Sequence, residues 1–150
     1  MIKIKKASEA DFGDILKTEK EYFSQPLTAK TLEETAKNPD YVILTAKADG
    51  IYAGHAVFYI ADSRAEIISV AIKKSEQKKG YGKALLSEIK KICSKNGIKE
   101  ILLDVRISNS AAVALYKISD FEIIAERKNF YEHPKENAYT MKFDLKKDTE

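Results

Sequence analysis

The sequence predicts a mixed α+β domain, read as β-α-α-β-β-β-α-β-α-β-β. Three observations carry that expectation. Two β-rich runs, 41–48 and 51–60, meet at Asp49-Gly50, a dipeptide suited to a tight hairpin turn. An apolar run at 67–72 passes through a glycine-containing turn into an amphipathic stretch. A nearly continuous apolar run, Ile101-Leu102-Leu103-Asp104-Val105, then reads as a strand buried on both faces. Strand, helix and strand at this spacing imply a right-handed crossover and one parallel pair beside an antiparallel first half.

Taken in order, Ile2 and Ile4 alternate with Lys3 and Lys5 as a short edge strand. Ser8 and Asp11 resemble a capping box. Phe12, Ile15, Leu16, Glu19 and Tyr22 follow at helical spacing, with an end near Phe23. After a loop at 24–28, Thr28 or Thr31 caps a second short helix reaching Lys37, and Asn38-Pro39 stops it. The hairpin follows, then a turn at Asp62-Ser63-Arg64 and a third strand over 66–72, antiparallel to the second. The next helix buries Leu85, Ile89, Ile92 and Cys93 and stops at Asn96-Gly97. Ser108-Asn109-Ser110 caps a helix carrying Ala111, Ala112, Ala114, Leu115 and Ile118. A strand is expected from Phe121 to about Glu126, then a loop through His133-Pro134. A last strand is marked by Tyr139, Met141, Phe143 and Leu145, and the tail 146–150 is expected to fray.

Composition narrows the function classes. The 150 residues suit one domain, 1–150, with 44% hydrophobic and 33% charged residues. No stretch has the length of a membrane span, and no apolar leader suggests export. The single cysteine, Cys93, excludes an internal disulfide framework and fits a reducing cytoplasm. A net charge of +3, from 26 basic and 23 acidic residues, gives no expectation of direct nucleic-acid binding. His55 and His133 have no partners at metal-ligand spacing and read as structural or exposed, so no metal is expected. Cys93 reads as core rather than nucleophile.

Chemistry concentrates first in Gln77-Lys78-Lys79-Gly80-Tyr81-Gly82-Lys83. Two glycines let main chain approach a ligand closely, and the unpaired N–H groups opening a helix attract anions. The lysines add positive charge. A phosphate-bearing ligand is one reading; a plain left-handed turn before a helix is the other.

Gln77-x-x-Gly80-x-Gly82 after that strand resembles the GCN5-related N-acetyltransferases (GNAT). Downstream, Leu103-Asp104-Val105-Arg106-x-Ser108-Asn109, Ala111-Ala112, Ala114-Leu115-Tyr116, Phe121 and Arg127-x-x-x-Tyr131 resemble the ribosomal-protein-alanine (RimI) branch of that family. So does Phe23-Ser24-x-Pro26-Leu27-Thr28. The resemblance spans essentially the whole chain. It implies a GNAT fold, with about four helices and a mostly antiparallel sheet whose one parallel pair splays open. It also implies acetyl-CoA as co-substrate in the splay. Pantetheine would pair with the backbone of Val70, Ala71 and Ile72, and pyrophosphate would rest on the N–H groups of Lys78, Lys79, Gly80, Tyr81, Gly82 and Lys83. Asn109 would make a polar contact with the cofactor or simply cap its helix, and the oxyanion donor would be an N–H near Ile72.

Acetyl transfer needs a neutral amine, a stabilised oxyanion and a protonated leaving thiolate. An α-amine of pKa ~7.8 is already partly neutral at pH 7, whereas a lysine near ~10.4 is almost wholly charged. The resemblance assigns the base to Asp104, where the branch carries glutamate. The aspartate is shorter by roughly 1.5 Å, which favours relay through a water. The alternative for Asp104 is an ion pair with Arg106, two residues on along the same strand face. Tyr116 matches the general acid, against a reading as a core tyrosine. Phe23, Pro26, Leu27 and Tyr131 are the expected walls of an acceptor groove. The branch has tryptophan where this chain has Leu27, and Asp120 stands where a glycine precedes the phenylalanine. The leading expectation is a cytoplasmic acetyltransferase acting on a protein N-terminus, with a ribosomal protein as acceptor and no membrane partner. Acetylation of a lysine or small amine, and a non-catalytic acyl-CoA-binding module, are the alternatives.

Overall fold

In the computed structural model, residues 1–145 are described; the predicted tail, 146–150, lies outside them. The elements follow the predicted order: β1 (Ile2–Lys6), α1 (Phe12–Tyr22), α2 (Ala29–Lys37), β2 (Tyr41–Ala48), β3 (Ile51–Ala61), β4 (Arg64–Ile72), α3 (Tyr81–Lys95), β5 (Glu100–Arg106), α4 (Ser110–Ile118), β6 (Glu122–Glu132) and β7 (Lys135–Asp144). The strands form one sheet in the order β1-β2-β3-β4-β5-β7-β6, in which only β4 and β5 are parallel. This is the mostly antiparallel sheet with one parallel pair and four helices that the resemblance implies. No helix among the described residues is long and apolar enough to cross a membrane.

Local chemistry sets the boundaries. Asp49 and Gly50 both take positive φ, as the tight turn between β2 and β3 requires. Asp11 Oδ2 accepts the Ser8 N–H at 2.9 Å and opens a single 3-10 turn ahead of α1. Thr28, rather than Thr31, is the cap of α2, its Oγ1 accepting from Thr31 N. Asp120 adopts φ 71 in the glycine's place, as a short polar side chain tolerates.

The helices cover the two faces of the sheet. Leu85, Leu86, Ile89 and Cys93 of α3, with Val113 and Tyr116 of α4, close over Phe58, Ile67, Ile101 and Leu103. On the other face, Ile15 of α1 and Leu32 of α2 pack on Ile43, Tyr52 and Val57. Cys93 is fully buried, and burial pushes its thiol up to about 12, in keeping with core rather than chemistry.

Two departures from expectation shape the site. β6 continues to Glu132, six residues beyond the predicted end at Glu126, and the predicted loop shrinks to a turn at His133-Pro134. β6 is an edge strand exposed along nearly its whole length, with register shifts at 123/125 and 127/131, so no apolar alternation marks it. Second, β4 carries a bulge. Phe58 pairs with Ile67 and Val57 with Ser69, leaving Ile68 extra. A bulge bends its strand, and the β4–β5 pairing ends at this point, at Ile67 opposite Leu103.

Candidate active site

Past Ile67 the two parallel strands part. β5 goes on pairing with β7 as far as Arg106 opposite Ala138, while β4 runs on to Ile72 against β3 alone. One edge of 69–72, which includes Val70, Ala71 and Ile72, therefore has no strand partner. An edge of this kind offers donors and acceptors to an extended amide-bearing ligand. Gly54 shapes the berth from behind. A Cβ there would sit 2.6 Å from the Ala71 carbonyl oxygen, so β4 approaches closely only because the residue is glycine.

The glycine turn lies at the open end of this edge. Gly80 takes φ +93 and caps α3, and the first intrahelical bond runs from Ala84 N to Gly80 O at 3.0 Å. The N–H groups of Tyr81, Gly82 and Lys83 thus have no intrahelical acceptor, and they face the end of the helix where anions are favoured. The Tyr81 side chain itself is core. Lys78, Lys79 and Lys83 are exposed, and Lys79 lies 3.6 Å from Glu76. The Gln77 side chain braces the turn, its Nε2 donating to Ile72 O at 3.3 Å and to the Tyr22 hydroxyl.

Asp104 and Tyr116 stand on opposite faces of the sheet. Leu103 and Val105 point into the α3–α4 core, so Asp104 between them faces the α1 side. Its Oδ1 accepts from Thr140 Oγ1 at 2.6 Å and lies 3.5 Å from Arg127 Nε. The alternative pairing with Arg106 does not occur. Register puts Thr140 across from Asp104, Arg127 of β6 reaches over, and Arg106 binds Glu136 instead. Tyr116 is buried on the α3–α4 side against Phe121, ring centroids 5.8 Å apart. Burial, aided by Tyr131, pushes its phenol well above the ordinary 10. Asn109 caps α4, Oδ1 accepting from Ala112 N at 3.2 Å.

The loops around this opening converge at the C-terminal ends of β4 and β5. Phe23, Pro26 and Leu27 are partly buried in the α1–α2 loop, and Tyr131 is half-buried at the end of β6. Two anchors of these loops are not legible in the sequence. Glu19 is buried in α1, its Oε1 accepting the Leu27 N–H at 3.2 Å and its Oε2 2.7 Å from His55 Nε2. His55 is fully buried, with Tyr52 Oη 2.7 Å from its Nδ1. The Tyr52 hydroxyl also donates to Thr18 Oγ1 at 3.2 Å, so Glu19, His55, Tyr52 and Thr18 form one buried polar chain from α1 to β3. Only the unusual pairing of a glutamate on an apolar helix face with a histidine mid-strand could have signalled it. The second anchor is Arg106. Its Nη1 donates to Pro134 O (2.9 Å) and Glu136 Oε1 (3.1 Å), and its Nη2 donates to Ser24 Oγ (3.1 Å) and His133 O (3.2 Å). His133 itself is exposed. Among the described residues no cluster of three or more His, Cys, Asp or Glu is arranged to hold a metal ion.

The sequence profile described as the acetyltransferase (GNAT) family matches residues 10–121, three-quarters of the chain and all of the cleft except the β6–β7 hairpin. The chain belongs to this GNAT family. Its members' chemistry makes it an acetyl-CoA-dependent N-acetyltransferase, with acetyl-CoA as co-substrate. A free strand edge ending at unpaired helix N–H groups suits an amide-bearing arm that ends in a pyrophosphate. Among its relatives in the GNAT family, a putative ribosomal protein bS18-alanine N-acetyltransferase of Bacillus subtilis is 29% identical over 87% of each chain. The ribosomal protein bS18-alanine N-acetyltransferase of Escherichia coli is 31% identical over 61% of this chain and 62% of its own. The crystal structure of the Escherichia coli ribosomal-protein-S18-alanine N-acetyltransferase superposes with a TM-score of 0.86, covering 97% of this chain and 94% of that one at 26% identity. A spermidine N(1)-acetyltransferase of Thermoplasma acidophilum is 30% identical over 69% of this chain and 65% of its own.

Proposed function

We propose that this GNAT transfers the acetyl group of acetyl-CoA to the N-terminal α-amine of a protein, with a ribosomal protein as the acceptor. The observation that carries this reading is the end-to-end likeness to the bS18-alanine enzymes, which spans both the cofactor turn and the acceptor-side loops. A cytoplasmic setting belongs to the same proposal.

In this reading pantetheine lies along Val70, Ala71 and Ile72, and the pyrophosphate on the N–H groups from Lys78 to Lys83. Asn109 uses its side-chain amide on the cofactor while its oxygen caps α4. The thioester sits where the sheet parts, so the amine enters from the α1 face, past Phe23, Pro26, Leu27 and Tyr131. Asp104 is on that face, with Oδ1 engaged by Thr140 and Oδ2 left to take a proton. The amine nitrogen attacks the thioester carbon, and its proton passes through water to Asp104. The tetrahedral oxyanion draws on an N–H near Ile72. The C–S bond then breaks, and Tyr116, on the opposite face, gives its proton to the coenzyme A thiolate. A phenol raised by burial is a reluctant donor, but the same dry surroundings make the thiolate a stronger base.

The spermidine-acetylating relative and the Leu27 position favour a second reading, a small amine as acceptor. Turnover against alanine- and serine-initiated peptides, with mass spectrometry locating the acetyl group, separates the two. Label on the α-amine is expected; acetylated spermidine with unmodified peptides would overturn the proposal.

A further inference from the structure

We infer that Arg106 is a positioning residue that ties the two walls of the acceptor groove to each other and so sets the affinity for a peptide acceptor. The inference rests on the reading of the α1–α2 loop and the β6–β7 hairpin as those walls.

One guanidinium holds both. Ser24, which it binds through Nη2, lies in the α1–α2 loop between Phe23 and Pro26. His133, Pro134 and Glu136 belong to the hairpin tip. The Tyr131 ring lies under the same group, 4.2 Å from Cζ. Glu136 extends the tie to a third segment, its Oε2 accepting the Ser108 N–H at 2.8 Å, one residue before the Asn109 cap. Bonds from Ser108, with the Arg106 guanidinium, hold the Glu136 carboxyl below its ordinary 4.5, so the node stays charged at neutral pH.

The geometry needs arginine. Four acceptors spread over two segments require a planar fork of several fixed N–H donors, while a lysine ammonium is a single point on a flexible stem. The α1–α2 loop has a second, independent anchor at Glu19, through Leu27 N. Loss of Arg106 therefore uncouples the walls without unfolding the loop. It leaves the free edge of β4 and the glycine turn untouched, since no Arg106 contact reaches either.

The test uses the full chain with Arg106→Lys, Arg106→Gln and Ser24→Ala. For an alanine-initiated peptide, KM is expected to rise about tenfold in both Arg106 variants, with kcat within about threefold and acetyl-CoA KM unchanged. Ser24→Ala, which cuts one of the bonds, gives a smaller rise. Amide hydrogen exchange provides a readout independent of any acceptor: in Arg106→Gln, segments 23–28 and 131–136 exchange faster together while α3 stays protected. A wild-type peptide KM in Arg106→Gln overturns the role, as does an equal loss in acetyl-CoA KM. Faster exchange at the hairpin alone overturns the coupling of the walls. Should the enzyme take only small amines, the acceptor reading fails, and the exchange experiment still decides whether Arg106 joins the two segments.

Discussion

The two sides of the cleft are built from different material. The proposed acetyl-CoA side is main chain: the unpartnered edge of β4 and the first-turn N–H groups of α3, given access by Gly54, Gly80 and Gly82. The proposed acceptor side is side chain: Glu19 on Leu27, Arg106 on Ser24 and the hairpin, and Asp104 held by Thr140 and Arg127. Main-chain donors tolerate sequence change wherever the backbone path is kept. A side-chain network fails when one member changes. One frame can therefore keep one co-substrate while its acceptor drifts, as relatives named for ribosomal protein bS18-alanine and for spermidine illustrate.

The comparison is testable by asking which changes strike which side. The largest effect is expected from Tyr116→Phe, which removes a proton without altering packing. Its kcat should fall by about two to three orders of magnitude with acetyl-CoA KM unchanged. Because burial raises this phenol, the wild-type kcat should show no descending limb below about pH 10 that depends on Tyr116. A variant as fast as wild type would remove Tyr116 from the chemistry. Asp104→Asn comes next, with kcat/KM down about thirtyfold at pH 7. That deficit should shrink above pH ~8, where the α-amine is already neutral and needs no base. A deficit constant with pH would point to positioning alone.

Gly54→Ala strikes the other side. The new methyl forces β4 away from its path at Ala71, at a cost of about 1–3 kcal/mol in stability, and acetyl-CoA affinity should fall about tenfold while peptide KM holds. Loss of peptide binding instead would break the division proposed here. The smallest effect is expected from Lys78→Ala, Lys79→Ala and Lys83→Ala. These side chains are exposed, and each change should raise acetyl-CoA KM less than about threefold, and less still at high salt. A tenfold loss from any one would show that charge, not the N–H array, holds the pyrophosphate.

How much was legible follows the same line. The element order, the Asp49-Gly50 hairpin and the strand–turn–helix unit are written in local periodicity and glycine placement, which act within a few residues. The full length of β6 was not, because an edge strand wet on both faces has no apolar alternation to read. The alternative reading of Asp104, an ion pair with Arg106, fails for a related reason. Sharing a face at i+2 suggested Arg106, but ion pairs across a sheet depend on register, which set Thr140 and Arg127 beside it. The Glu19–His55 contact joins residues 36 apart in sequence, and nothing local announces it. Arg106 lay inside a recognised motif, yet its bonds reach residues up to 82 positions away.

The bulge at Ile68 has one more consequence. Ala65 and Ile67 face the α3 layer before it, and Val70 and Ile72 face that layer after it, so the parity of the strand changes midway. Deleting Ile68 would give β4 one regular alternation, with Val70 and Ile72 still on that layer, and would take out the bend that carries the strand away from β5, narrowing the cleft. Replacing Ile68, whose side chain is 45% exposed, would do little. For this strand, heredity must guard the count of residues more strictly than their identity, and the opening that admits a substrate is stored as an odd number.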